Sequence, residues 1–218
     1  MADGFDQMVR EARAFFTELR ENNSKAWFEP HKARYKDQIA APAALFADLV
    51  AEDLARITGK AHSPKVFRIY RDVRFSKDKT PLNAHLHLLW SPADKDVLAP
   101  SWFWGLSPDY LVLGMGVVGL QGEGLTRYRA LVDNWGDTLS DALDQAMEAG
   151  ASFGDWGPAP LKRVPKPFDA DHPHADLLKR KGFTLSAAIE GWEDGVLKAT
   201  LARVRDVKPV WDLFEQHL

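Results

Sequence analysis

Apolar side chains recur every three or four positions in the N-terminal part of the chain, the spacing that gathers them on one face of an α-helix. Asn22 and Asn23 end the first predicted helix, and Ser24 can cap a second. Pro42 opens a third, which ends at Gly59. The apolar positions of the first helix are Phe5, Met8, Val9, Ala12, Phe15, Phe16 and Leu19.

From Pro64 onward the period changes to two, which is typical of half-buried strands. The predicted strands are Val66 to Phe75, Ala84 to Trp90, Ser101 to Leu106, and Tyr110 to Leu120. Their short connections predict an antiparallel meander, because parallel strands need long crossovers. Arg71 falls on the apolar side of the first strand, which predicts either a bulge there or a buried guanidinium with a partner.

The C-terminal part alternates between helical patterns and loops. The predicted elements are a helix over Leu125 to Ala149, a loop over 150–167, a short helix over Asp171 to Lys181, a strand over Phe183 to Ala187, and a helix over 193–217 broken near Pro209. The sequence therefore predicts one α+β domain over residues 1–218. An antiparallel sheet meander at about residues 65–120 is packed by N-terminal, central and C-terminal helices.

Composition narrows the classes of protein. Of 218 residues, 45% are hydrophobic and 27% charged, as in ordinary globular proteins. The chain has no cysteine, which excludes disulfides, thiolate metal sites and cysteine nucleophiles. No apolar run approaches the roughly 20 residues that span a bilayer, and the acidic start at Met1 does not resemble a signal peptide. We therefore expect a cytoplasmic protein without membrane contact.

Charge is distributed unevenly around the net value of −3. Residues 60–81 contain seven basic and two acidic residues (+5), and residues 162–181 contain six and three (+3). The remainder contains 15 basic and 26 acidic residues (−11). This pattern favours a local site for a small anion over a nucleic-acid partner. The alternative is that these charges simply pair with acidic residues in solvent.

Arginine, lysine and tyrosine side chains make the first basic segment the candidate ligand site, because guanidinium groups bind phosphate or carboxylate bidentately. The predicted ligand-binding residues there are Arg68, Tyr70, Arg74, Lys77 and Lys79. Lys162, Arg163 and Lys179 of the second segment are expected to close the site. If the protein is an enzyme, Asp72 and His172 are the acid–base candidates. The alternative function is a nucleic-acid-binding or protein-interaction module.

Three other patterns have a structural and a functional interpretation. Residues 114–119 read G-x-G-x-x-G, but the absence of a βαβ pattern favours a glycine-rich antiparallel strand over a dinucleotide site. His85 and His87 share one strand face without a third ligand, so we expect no metal there. Asp171 or His172 before Pro173 is typical of a helix cap. No cofactor is expected.

Three sequence blocks resemble a known family. They are Phe67 to Pro81, Asn22 to Phe28 with His31, Lys32 and Tyr35, and Leu161 to Pro165 followed by Phe168-Asp169, Asp171 to Pro173 and Leu177 to Lys181. The blocks are similar to those of domain of unknown function family 2461, an uncharacterised group found in bacteria and fungi. Leu82-Asn83 and Gly182 depart from its pattern. The resemblance implies a single α+β domain with no assigned activity, and a composite site with Trp27 and Tyr35 nearby.

Overall fold

A computed structural model describes residues 4–94, 100–154 and 156–218. The helices are α1 (Phe5–Glu21), α2 (Lys25–Tyr35), α3 (Ala41–Thr58), α4 (Gly122–Glu148), α5 (Ala175–Leu178) and α6 (Val196–His217). A π-helical turn, Lys36–Ala40, joins α2 to α3, and a 3₁₀ turn, Trp192–Asp194, precedes α6. The strands are β1 (His62–Val66), β2 (Leu86–Pro92), β3 (Ser101–Leu106), β4 (Leu111–Val117), β5 (Ala151–Phe153) and β6 (Phe183–Ala188). The α+β class is confirmed.

The six strands form one antiparallel sheet in the order β1-β2-β3-β4-β6-β5. β1 to β4 follow one another as the predicted meander. The chain then forms α4, β5 and α5 before β6 returns beside β4. Alternate residues on each strand point to opposite faces of this sheet.

Helices cover one face of the sheet, and large aromatic side chains fill the space between. Trp90, Trp102 and Trp104 are fully buried there, and the Trp90 indole donates a 2.8 Å hydrogen bond to the Ala47 carbonyl of α3. The intervening residues, such as His87 and Phe103, point to the opposite face and remain partly exposed. We call this opposite face of the sheet the open face.

The predicted strand over Val66 to Phe75 is wrong. β1 ends at Val66, and its last ladder contact beyond that is the Phe67 amide, which donates to the His87 carbonyl. Further on, the Arg71 amide donates to Pro81 O and the Asn83 amide to Ile69 O. The chain therefore bonds to itself as a narrow loop and leaves the sheet.

Other boundaries differ for local reasons. The predicted loop at 150–167 contains β5, and α5 is limited to four residues. The C-terminal helix continues through Pro209 because Val207, Val210 and Trp211 are buried on both sides of it. In the part of the chain that the structure describes, no helix combines the length and apolarity needed to cross a membrane.

The G-x-G-x-x-G motif lies mostly in β4. A Cβ atom at Gly116 would approach the Phe183 carbonyl oxygen to 2.1 Å, and one at Gly114 would approach Leu185 O to 2.8 Å. The close pairing of β4 with β6 therefore accounts for these glycines. A helix does follow, since α4 begins at Gly122, earlier than predicted, but β4 has antiparallel neighbours and no βαβ unit forms.

Candidate functional site

Residues 67–82, which we call the basic loop, are organised by two aspartates. The Asp72 carboxylate accepts hydrogen bonds from the Arg74 amide and guanidinium. Asp78 accepts from the Thr80 hydroxyl and amide and from Arg71, and these bonds lower its pKa to about 2. Both carboxylates therefore act as acceptors that shape the loop, and the bonds from Arg74 lower the pKa of Asp72, which makes it a weaker general base.

The basic loop is fastened to the N-terminal helices. Asn23 donates from its side-chain amide to Leu82 O at 2.9 Å and accepts from the Leu82 amide at 3.1 Å. The Tyr70 ring packs edge-on against Phe28, with centroids 5.7 Å apart. Phe28 in turn contacts Tyr35 at 5.8 Å. The sequence block between Asn22 and Tyr35 thus lies directly behind the loop.

The predicted cations of the loop differ in how far they are neutralised. Arg74 is paired with Asp72, and the Lys79 ammonium donates to Val73 O at 3.0 Å. Arg71 is half-buried and donates to Asp78 and to Thr80 O, as predicted for its guanidinium, although it does not lie on a strand. Over the described ranges, neither the Arg68 guanidinium nor the Lys77 ammonium forms a hydrogen bond or ion pair, and Arg68 accepts from the Asn83 side chain only at its backbone carbonyl.

A cavity of about 280 Å³ opens between the basic loop and the segment that leads into β2. Its lining residues are Phe67, Arg68, Tyr70, Arg71, Asp72, Asn83, His85 and His87. The His85 and His87 rings stack at 3.8 Å, and His87 Nε2 shares a 2.8 Å hydrogen bond with the Tyr110 hydroxyl. We call this space the anion cavity, because the Arg68 guanidinium lies on its wall and forms no ion pair with any described residue.

The two histidines are uncharged near neutral pH. Burial lowers the pKa of His87 to about 4, with a further contribution from His85. Burial, followed by the charges of Arg71 and Arg20, also lowers the pKa of His85. Neutral imidazoles can donate or accept a hydrogen bond without adding charge. No group of three or more metal-ligand side chains occurs within the residues described.

The lowered pKa of His87 predicts acid sensitivity. Between its ordinary value of 6.5 and its folded value of about 4, the unfolded chain takes up a proton that the folded chain does not. Stability is therefore retained above 6.5 and lost as pH falls towards 4. We expect His87→Gln to lose roughly 2 kcal/mol less stability than the parent protein between pH 7 and pH 4.5. Urea unfolding at both pH values measures this, and equal losses would contradict it.

The second basic segment lies elsewhere. The Leu161 amide donates to Lys179 O, close to the start of β6, whereas the basic loop follows the end of β1. The antiparallel register places these points at opposite ends of the sheet. The predicted composite site is thus corrected. Lys179 is paired with Asp176, and Lys162 and Arg163 are exposed.

His172 fastens a loop to α4. Its Nε2 atom lies 3.2 Å from an Asp133 oxygen, and its Nδ1 atom accepts from the His174 amide at 3.0 Å. Both ring nitrogens are occupied, so we leave His172 out of the candidate site. The predicted cap at Asp171 or His172 is wrong, because α5 begins at Ala175 with His174 at its N-cap position and no side-chain cap bond.

His174 makes a similar attachment. Its ring enters the notch at Gly136, where a Cβ atom would lie 2.1 Å from the imidazole. His174 Nε2 bonds to Asp137 at 2.9 Å and Nδ1 to Ser140 at 3.2 Å. The order resembles a Ser-His-Asp triad, but the Asp137 side chain is 98% exposed, whereas the triad aspartate is buried. The arrangement therefore fits attachment of the loop better than catalysis.

Sequence reasoning missed His85, His87 and Asn83 as residues of the anion cavity, and Tyr110 as the partner of His87. A usable signal was present, because His85 and His87 share a strand face and follow the basic segment closely. Tyr110, the partner of His87, directly precedes β4, and β3 lies between β4 and β2. Only the β2–β3–β4 strand order therefore brings Tyr110 near His87.

Comparison with known proteins identifies the family. The family described as "Conserved hypothetical protein (DUF2461)" matches residues 11–212, nearly the whole chain. No curated protein and no solved structure matches the chain significantly. The basic loop, the block behind it and the loop attached to α4 all fall within the matched range. The chain therefore belongs to the DUF2461 family of conserved hypothetical proteins.

Proposed function

We propose that the protein binds a small phosphate- or carboxylate-bearing molecule in the anion cavity. The observation that carries the proposal is Arg68, an exposed guanidinium on the cavity wall that forms no ion pair within the described ranges, while Arg71 and Arg74 beside it are ion-paired. Asp72, also on the wall, feels the charge of Arg68 but directs its hydrogen bonds to Arg74. A charged donor group held beside a concave surface is the usual arrangement for recognising an anion.

The neighbouring groups suit the same ligand. Tyr70, on the loop side, offers a hydroxyl and an aromatic edge, and His85 offers a neutral imidazole. Lys77, at the turn of the basic loop, adds an exposed charge that can attract the anion from solution. Lys79 supports the loop through Val73 O, and Lys162, Arg163 and Lys179 lie outside this site.

Substitution of Arg68 tests the proposal. We expect Arg68→Gln to weaken binding of phosphate, sugar phosphates, nucleotides or polycarboxylates roughly tenfold to hundredfold, because a hydrogen bond to a charged group contributes about 1.5–3 kcal/mol. Arg74→Gln is the matched control, since its guanidinium already binds Asp72. Calorimetric titration, after thermal-shift screening, gives both affinities. Equal effects of the two substitutions, or no anion binding by the parent protein, would contradict the proposal.

A nucleic-acid-binding or protein-interaction module is the second candidate, and one observation favours it. Phe75 in the basic loop is 96% exposed, directly beside Arg74. Exposed aromatic residues among cations are typical of single-strand nucleic-acid and peptide recognition. Gel-shift titration with single-stranded and duplex DNA at physiological salt distinguishes this function: tight DNA binding without stabilisation by small anions would make it the better one.

A further inference from the structure

A larger cleft adjoins the anion cavity on the open face. Its volume is about 590 Å³, and it shares His87 with the anion cavity. The lining residues are His87, Phe103, Tyr110, Val112, Ser152, Phe153, Gly154, Trp156 and Ser186. None of them is an acid, a lysine or an arginine. A ligand that occupies both spaces therefore meets a cation at one end and neutral surface at the other.

Aromatic rings form the walls of this cleft. Phe103 meets His87 edge-on with ring centroids 4.9 Å apart, and meets Trp156 edge-on at 4.3 Å. The Trp156 side chain comes from the loop after β5 and is 44% exposed. Because a partly exposed indole and a phenyl ring offer flat apolar surface, the cleft favours a planar ring as its occupant.

The floor of the cleft is polar. Ser152 of β5 and Ser186 of β6 are paired in the strand register and point to the open face. Within the described ranges, neither hydroxyl has a hydrogen-bond partner on the protein. Two free hydroxyl groups can each donate and accept, so they suit a ring whose edge carries nitrogen and oxygen atoms.

We infer that the ligand is a mononucleotide or a similar heteroaromatic phosphate, with its ring in the cleft and its phosphate at Arg68. This inference rests on the proposed function and specifies its ligand class. From the anion cavity into the cleft, a ligand would meet the Arg68 guanidinium first and the His87 imidazole next. It would then meet the aromatic walls and the two serine hydroxyl groups. His87 and Ser186 are three strand intervals apart, about 14 Å at ~4.8 Å per interval, which is comparable with an extended mononucleotide.

The inference is tested by calorimetric titration with a matched ligand series. The series comprises adenosine and cytidine 5′-monophosphates, ribose 5-phosphate, phenyl phosphate, inorganic phosphate and the two nucleosides. We expect at least one nucleotide to bind roughly tenfold or more tightly than ribose 5-phosphate, because base–aromatic stacking contributes in that range. Phe103→Leu should remove this preference and leave the affinity for ribose 5-phosphate unchanged. Ser186→Ala, a minimal change, should weaken nucleotide binding and spare phenyl phosphate.

The outcomes distinguish the proposed anion binding from the proposed ligand class. If inorganic phosphate and ribose 5-phosphate bind as tightly as the nucleotides, the ligand class is wrong and anion binding stands. If phenyl phosphate equals the nucleotides, the heteroaromatic part is wrong. If nucleosides bind and no anion improves the affinity, the proposed function is wrong while the aromatic cleft stands. If no member of the series binds, both are overturned.

Discussion

Gly116→Ala is expected to destabilise the protein by about 3 kcal/mol or more, because the new methyl group meets backbone and the residue is also strained. A Cβ atom there would lie 2.1 Å from the Phe183 carbonyl oxygen and 2.7 Å from Thr184 Cα. Neither atom can move without displacing β6 from β4. The φ angle of +154° adds strain for any side chain.

Gly119→Ala is the matched control within the same motif. Gly119 has a φ of +75°, yet nothing lies within 4 Å of its added Cβ atom. We expect a cost of about 1 kcal/mol, from backbone conformation alone. Thermal and urea unfolding of the two variants measure the difference. Equal and small effects would show that the β4–β6 pairing tolerates a side chain, and that the motif is retained for another reason.

The same glycine motif shows which features of the sheet a sequence pattern can predict. The antiparallel strand was predictable, since Ser101 to Leu106 and Tyr110 are separated by a short turn. The partner of β4 on its other side was not, because β6 lies more than sixty residues later in the chain. The need for glycine at 116 arises from that distant partner.

The basic loop shows why local alternation misleads. Phe67, Ile69, Val73 and Phe75 alternate as in a strand, but only Ile69 of these is buried. The loop is formed by Asp72 and Asp78, each of which accepts from an amide two residues later. Such turns were visible in the sequence as polar residues at short spacing. The point at which β1 leaves the sheet, by contrast, depends on where its partner strand β2 begins.

The candidate site was predictable in its charged half. Arg68 and Tyr70 were identified from residue type and spacing, and both line the anion cavity. The neutral half depends on Phe103 and Trp156, which are 53 positions apart and meet only because their elements lie on one face of the sheet. The second basic segment was wrongly joined to the first, because charge alone contains no information about distance.

The attachment of the basic loop through Asn23 provides a second test with a large effect. Asn23→Ala removes two hydrogen bonds and leaves the amide and carbonyl of Leu82 without partners. We expect a loss of stability of about 2–3 kcal/mol, because each hydrogen bond contributes about 1 kcal/mol and unsatisfied part-buried groups add to the cost. Asn22→Ala is the control: its exposed amide donates to Glu18 O within its own helix, so its effect should stay within about 0.5 kcal/mol.

Ligand binding extends this test from stability to function. Arg68 and Tyr70 belong to the loop that Asn23 fastens, so Asn23→Ala should also weaken anion binding although Asn23 does not line the cavity. Binding to the folded state raises stability in proportion to the logarithm of ligand concentration over Kd. The thermal shift given by a saturating anion for the parent protein should therefore be smaller for Asn23→Ala and unchanged for Asn22→Ala. An unchanged shift in both variants would mean that the loop holds its binding geometry without Asn23, and that Arg68 is positioned by the Asp72 and Asp78 turns alone.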